Sequence, residues 1–343
     1  MQRCTVIVID GSKGEGGGQV LRSALSLSAC TGQPFRIKNI RAGRKKPGLM
    51  RQHLTCVRAA EAVCGGKSTG ASLGSTELAF APGEPSGGAY TFDVGTAGAT
   101  ALVFQTILPI LLMADEPSTV EFRGGTHTIA APSLDFIEQA FLPPLQTMGA
   151  DVSVHRQQLG FYPAGGGLWT SHINPLQQPR SLTLENRGAL IAVEGEALRA
   201  NLPEDICQRE IDTLMRNLNI SENAVRMSEH KGPGPGNAVL VHVQCEHHSE
   251  VFSAIGRHGV KAETVAANAA REAKQFLASN AAVSDFLADQ LLLPMALFQG
   301  GSFTAGQPSG HFLTNVETIQ SFLDVSIAHE AKESSIRVSV ERS

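Results

Sequence analysis

The stretch DGSKGEGGGQVLRSALSLSACTG, Asp10–Gly32, sets three consecutive glycines directly before a helical pattern. Upstream, CTVIVID (residues 4–10) is rich in β-branched residues and reads as a strand. Downstream, QVLRSALSLSACTG places apolar residues at helical spacing and ends on Gly32, a helix stop. The glycines therefore join a strand to a helix. Backbone N–H groups and the helix dipole favour an anion at such a junction. The pattern nevertheless misses two phosphate-loop fingerprints: Gly17 stands where a Walker loop needs Lys, and Gln19 stands where a dinucleotide loop needs its third Gly. Taken alone, the loop fits a structural turn as well as an anion site.

At 343 residues and 42% apolar composition, the chain can bury a large core, and its length suggests about two domains. A formal charge of −4 argues against a protein that coats nucleic acid non-specifically. The six cysteines, Cys4, Cys30, Cys56, Cys64, Cys207 and Cys245, show no CxxC spacing. That pattern points to reduced thiols in a cytoplasmic protein, not a disulfide framework or a zinc site. No apolar run approaches the roughly 18 residues of a spanning helix, and the N-terminus reads as a strand instead of a signal peptide. A soluble protein without a membrane role is expected.

Charge is strongly segregated near the glycines. From Gly16 to Ala60 there are nine basic residues and no Asp or Glu. The centre of this field, IRAGRKKPGLMRQH, is a Gly- and Pro-containing loop that leads into a second helix. A solubilising patch is the plainer reading. An anionic substrate is the sharper one, since Arg forks match phosphate oxygens.

The same pattern recurs three times: a Gly-rich lead-in, an apolar helix, a strand, a Gly/Pro loop, a second helix and two closing strands. The second copy starts at VGTAGA, places DVSVHR and GFYPAGGG as its closing strands, and has GTHTIAAP as its loop. The third copy starts at VSDF and carries the loop QPSG. Between them, 184–279 reads as an inserted small α/β domain, beginning with strands LTLEN and LIAVEGEAL. The expected architecture is therefore α/β: a large domain of three βαβαββ units (1–183 and 280–343) with the insert between the second and third. Packed together, the three repeats would bring the 41–51, 126–132 and 307–311 loops around one cleft.

Eleven histidines make any single one weak evidence. His247 and His248 fall in a polar turn and read as solvated. His311 follows QPSG at the start of a helix, where the dipole would lower its pKa and keep it neutral and nucleophilic.

The Asp10–Thr55 stretch, together with FYPAGGG, AVSDFLADQLLLPMAL and PSGHFLTN, resembles RNA 3'-terminal phosphate cyclases across essentially the whole chain. The resemblance implies the three-repeat fold with an inserted domain, and a reaction in three steps. A histidine attacks the α-phosphorus of ATP, AMP passes to an RNA 3'-phosphate, and the ribose 2'-OH displaces AMP to close a 2',3'-cyclic phosphate. By the match His311 is the nucleophile. Arg22, Arg41, Arg44 and Arg51 are the candidates for neutralising phosphates, with Gln52 orienting a phosphate or the RNA end. Glu15 is the candidate ligand for Mg²⁺ or Mn²⁺. Nucleotide binding maps to Gln105, Pro132, Phe286, Leu287, Ala288, Asp289 and Gln290; Phe286 and Pro132 would sandwich adenine, and Asp289 would position the histidine or the ribose. Some relatives carry Tyr at the Phe286 position, and stacking needs only the ring.

Two rival readings fit the residues less well. A non-catalytic cyclase-like protein that binds RNA in ribosome assembly lacks the nucleophilic histidine, which is present here. Enolpyruvyl transferases share similar repeats but form no covalent nucleotide. The sequence leaves open the natural RNA, activity on DNA or 5'-phosphates, the role of the insert, and whether the chain forms a homodimer.

Overall fold

The computed structural model of the chain describes residues 6–342. Cys4 and the start of the first expected strand lie outside the described residues. The first repeat runs β1 (Ile7–Asp10), α1 (Gln19–Thr31), β2 (Phe35–Lys38), α2 (Arg51–Cys64), β3 (Lys67–Thr69) and β4 (Leu78–Ala81). Both helices stop at glycines in the left-handed region, Gly32 (φ 70°) and Gly65 (φ 61°), where a Cβ would be strained.

The second repeat runs β5 (Gly88–Asp93), α3 (Thr100–Leu112), β6 (Ser118–Gly124), α4 (Leu134–Phe136), a π-helical turn at Ile137–Phe141, α5 (Leu142–Thr147), β7 (Asp151–Gln158) and β8 (Gly167–Asn174). The second closing strand is thus GLWTSHIN. GFYPAGGG, expected as that strand, is instead a turn that leads into it. Its glycines explain the difference: Gly165 and Gly166 adopt φ of 66° and 68°. A Cβ on Gly165 would stand 2.6 Å from the Thr96 backbone, so the turn packs tightly on the Gly-rich lead-in of its own repeat.

Next comes β9 (Leu182–Leu184), which the sequence reading assigned to the insert. It pairs in parallel with a strand of the third repeat instead, Gly301 opposite Leu182, because Leu182 and Leu184 are needed in that core. The intervening segment supplies β10 (Leu190–Ala200), α6 (Glu204–Leu218), β11 (Val225–Glu229), β12 (Gly236–Cys245), β13 (Ser249–Ile255) and α7 (Ala262–Ala278). The third repeat closes with α8 (Asp285–Leu297), β14 (Gly301–Ala305), α9 (Gly310–Gln320), β15 (Val325–Ala331) and β16 (Ile336–Arg342).

The three repeats build the same sheet. Their strand orders are β1-β2-β4-β3, β5-β6-β8-β7 and β9-β14-β16-β15. In each, the first two strands are parallel and the remaining pairs antiparallel. One apolar core runs through all three, from Leu21 and Phe35 through Phe104 and Trp169 to Phe303. The fourth sheet, β11-β10-β12-β13, buries Val239, Val241 and Val243 against Val265, Ala269 and Phe276 of α7 in a core of its own. Helix α1 lies at the centre, packed against α2, α3, α8 and α9. No described helix is long and apolar enough to cross a membrane.

Candidate active site

The glycines of the opening stretch serve three neighbours. Gly16 takes a left-handed φ of 61°. A Cβ on Gly17 would collide with the Glu15 carboxylate and crowd Arg44, and one on Gly18 would collide with the His53 ring. The absence of side chains lets a carboxylate, a guanidinium and an imidazole close over the N-terminus of α1.

His311 lies in the first turn of α9, whose N-cap Ser309 accepts the Phe312 N–H at 3.0 Å. The ring is half-buried. Its Nδ1 is 2.8 Å from Gln19 Oε1 and 3.4 Å from Glu15 Oε2. Gln19 Nε2 in turn donates to Asp289 Oδ2 at 2.7 Å. With Asp289 ionised, this relay has one consistent arrangement of protons. The Asp289 carboxylate accepts from the Gln19 amide NH₂, so the amide oxygen faces the imidazole, Nδ1 carries the hydrogen, and the Nε2 lone pair is left free. Burial, and after it the Arg22 and Arg44 cations, hold the imidazole below the usual histidine value. Burial pushes Asp289 up to about 7, against the opposing effects of Gln19 and Arg22.

Asn315, one turn beyond His311, donates to the Asp289 carbonyl at 2.7 Å and accepts the Ser23 hydroxyl at 2.7 Å. These bonds lock α1, α8 and α9 in register. Gln19 and Asn315 were not singled out from the sequence. The signals were there: Gln19 occupies the position where a third glycine was sought, and Asn315 ends the PSGHFLTN motif.

A cavity of about 940 Å³ opens beside His311. Arg22, Gln105, Pro132, Phe286, Asp289, Gln290 and His311 all line it, and the far wall comes from β13 and α7. Gln105 donates to the Gln290 side chain, and Gln290 donates to the Phe286 carbonyl at 2.5 Å. Phe286 is 54% exposed. Leu287 and Ala288 are not brought into the cavity: their side chains lie in the core, because helical periodicity turns them away from the face that carries Phe286, Asp289 and Gln290. The 128–132 loop borders the cavity and is anchored by buried His127, whose Nε2 is 2.7 Å from Asp135.

Of the other sequence-derived residues, Arg22 reaches the cavity wall, while Glu15, Arg41, Arg44, Arg51 and Gln52 do not line it. Glu15 pairs with Arg44 through Oε1, while its Oε2 is buried without a hydrogen-bond partner. Arg22 is part-buried beside Gly18 and Asp289. Arg41, at a left-handed φ of 56°, braces its own loop by donating to the Lys46 and Gly48 carbonyls at 2.7 and 2.9 Å. Arg51 and Gln52 open α2 beside Gly95 and Gly98 of the second repeat. His53 accepts the Met50 N–H at 3.2 Å and is pushed down to about 3 by burial, then by Arg22 and Arg41. No group of three or more His, Cys, Asp or Glu among the described residues could cage a metal.

The expectation for the His247/His248 pair holds for one member only. His248 is buried, with Nε2 3.5 Å from Glu250, because β12 and β13 turn its ring inward. Glu250 caps α8 from across the cavity wall, accepting the Ser284 N–H at 2.6 Å and its hydroxyl at 3.0 Å.

A family model described as RNA 3'-terminal phosphate cyclase matches residues 13–329. Among curated proteins, an RNA 3'-terminal phosphate cyclase of Koribacter versatilis (strain Ellin345) is 48% identical over 336 residues, covering 98% of this chain and 95% of that one. Proteins of the same name from Salmonella enteritidis PT4 and Salmonella typhimurium are each 49% identical over 335 residues, covering 98% of both chains.

Proposed function

Since the chain belongs to the RNA 3'-terminal phosphate cyclase family, we propose that it uses ATP to convert an RNA 3'-terminal phosphate into a 2',3'-cyclic phosphate, with His311 as the nucleophile. The observation that carries this reading is the Asp289–Gln19–His311 relay at the mouth of the cavity, which leaves one imidazole nitrogen free to attack.

His311 Nε2 forms a bond to the α-phosphorus of ATP, and the bond to pyrophosphate breaks. As Nε2 becomes bonded the ring turns cationic, and its Nδ1–H bond to Gln19 strengthens at that moment. An oxygen of the RNA 3'-phosphate then attacks the same phosphorus and frees the histidine. The new anhydride has AMP as leaving group where the monoester had hydroxide. The neighbouring 2'-OH attacks the RNA phosphorus, loses its proton, and expels AMP.

Arg22 and Arg44, the two cations that depress the imidazole, stand where phosphate charge would gather. Arg41 acts by shaping the loop that presents Arg44, while Arg51 and Gln52 face the RNA end. Phe286 and Pro132 flank adenine, with Gln105 and Gln290 at its edge; Leu287 and Ala288 contribute only by seating α8. Glu15 fits a single-carboxylate site for Mg²⁺ or Mn²⁺, because its buried Oε2 lacks a hydrogen-bond partner and such ions take most of their remaining ligands from phosphate and water. The ion would supply charge neutralisation on the triphosphate.

In this reading residues 184–279 are an inserted domain whose inner face completes the nucleotide cavity, and 1–183 with 280–343 form the catalytic domain. A cytoplasmic setting agrees with the five described cysteines, all free. The test is to incubate the protein with ATP, Mg²⁺ and an end-labelled RNA 3'-phosphate. ATP-dependent resistance of the end to phosphatase supports the reading; an end that stays phosphatase-sensitive sinks it.

A further inference from the structure

The nine basic residues between Gly16 and Ala60 divide into two sets. Arg22 is part-buried at the cavity wall, Arg36 pairs with Glu77 at 2.7 Å, Arg41 braces its loop, and Arg44 pairs with Glu15. Lys38, Lys45, Lys46, Arg51 and Arg58 are exposed, and among the described residues none has an acidic partner within ion-pair distance; Lys38 ends β2, and the other four lie on α2 and the loop before it. Two acids, Glu61 on α2 itself and Asp93 two residues before the Gly95 beside Arg51, are already engaged. Glu61 accepts Ser68 N–H and hydroxyl at 2.8 and 2.6 Å, and Asp93 accepts Gly95 N–H at 2.6 Å.

These free cations form a directed surface. Helix α2 starts at the site, with His53 against Gly18 and Arg51 beside Gly95. Its buried face is Cys56, Val57, Ala59, Ala60 and Val63, so Arg51, Thr55, Arg58 and Ala62 share the outer stripe. At 1.5 Å per residue, Arg58 lies about 10 Å farther from the site than Arg51. That is about three nucleotides at the ~3.4 Å axial phosphate spacing of one stacked strand. The exposed large apolar side chains of this region, Met50 and Leu73, are not aromatic, so the surface grips phosphates and offers bases nothing to stack on.

We propose that the outer face of α2, with the Lys45–Lys46 loop tip, carries the sugar-phosphate backbone of single-stranded RNA upstream of its 3'-terminal phosphate. The inference rests on the cyclase reading for the direction of the strand, and on charge complementarity and continuity with the site for the surface itself. The grip is sequence-independent, because unpaired Lys and Arg meet phosphates and not base edges.

The experiment measures binding, which does not require turnover. A 5'-labelled 12-mer RNA and a labelled dinucleotide, each ending in a 3'-phosphate, are titrated by anisotropy against wild type and Lys45→Ala/Lys46→Ala/Arg58→Ala over a range of salt. The 12-mer should bind the variant at least about tenfold more weakly at low salt, with the slope of log affinity against log salt reduced by about 0.7 per cation removed. The dinucleotide should bind equally to both proteins, and label transfer from ATP should be unchanged. Equal loss for both RNAs, or no loss for either, overturns the proposed path. Arg58→Gln alone, read by the same slope, decides the matter if the triple variant folds poorly. A wild type that binds the 12-mer through these cations but fails to cyclise it would refute the cyclase reading and leave the path standing.

Discussion

Replacing Gln19 by Ala removes the side chain that links Asp289 to His311 while leaving every cavity-lining aromatic and both nearby arginines in place. Two bonds disappear, at 2.8 Å to the imidazole and 2.7 Å to the carboxylate. In the resting protein the first is a neutral bond worth about 1 kcal/mol net. In the transition state for attack the ring becomes cationic and the bond is roughly twice as strong. With the loss of a fixed Nδ1–H tautomer, the barrier should rise by about 2 kcal/mol, or roughly 30-fold in rate at 1.36 kcal/mol per decade. The assay is single-turnover transfer of label from α-labelled ATP to protein, across ATP concentrations. The maximal rate should fall while half-saturating ATP stays within about threefold, since the lost bonds act in the transition state. A rate within about threefold of wild type, or a loss fully recovered by more ATP, would refute the relay.

Glu15→Ala should remain folded but lose most metal-stimulated label transfer; unchanged stimulation would remove Glu15 from the phosphate site. Glu250→Ala deletes both acceptors at the N-cap of α8 and should weaken ATP binding about tenfold, read by ATP titration; a fall in melting temperature with unaltered ATP affinity would show that the cap is only structural. Glu210, buried in α6 with Oε2 unpartnered, is pushed up to about 8 by burial. A raised folded-state pKa means its contribution to stability is fully present below the unfolded value near 4.3 and is lost as pH rises through about 8. Glu210→Gln should therefore melt higher than wild type at pH 8.5 and close to it at pH 4; parallel melting curves across that range would contradict the burial cost.

The repeats were legible because each joins a turn-rich lead-in to an apolar helix, a pattern carried by local residues. What failed were pairings set by distant partners. Strand β9 looked like part of the insert because its partner, β14, follows the whole inserted segment. The glycine run before β8 passed for a strand, although its left-handed dihedrals belong to a turn. Strands β11 and β13 were not read at all, since VRMSE is mostly polar and SEVFSAI is short, and pairing with β10 and β12 makes them strands. At the site, His311 was marked by position and motif, whereas Gln19 gained its meaning only when α8 and α9 brought Asp289 and His311 to its two ends. Leu287 and Ala288 entered with their neighbours by sequence contiguity, and the helix turns them into the core.

The most direct test of His311 as the nucleophile is incubation with Mg²⁺ and α-labelled ATP, followed by denaturation, comparing wild type with His311→Ala. Alkali-stable, acid-labile label on wild type and none on the variant is the expected result, the signature of a histidine phosphoramidate. Equal label on both proteins, or none on a folded wild type that binds ATP, would contradict it.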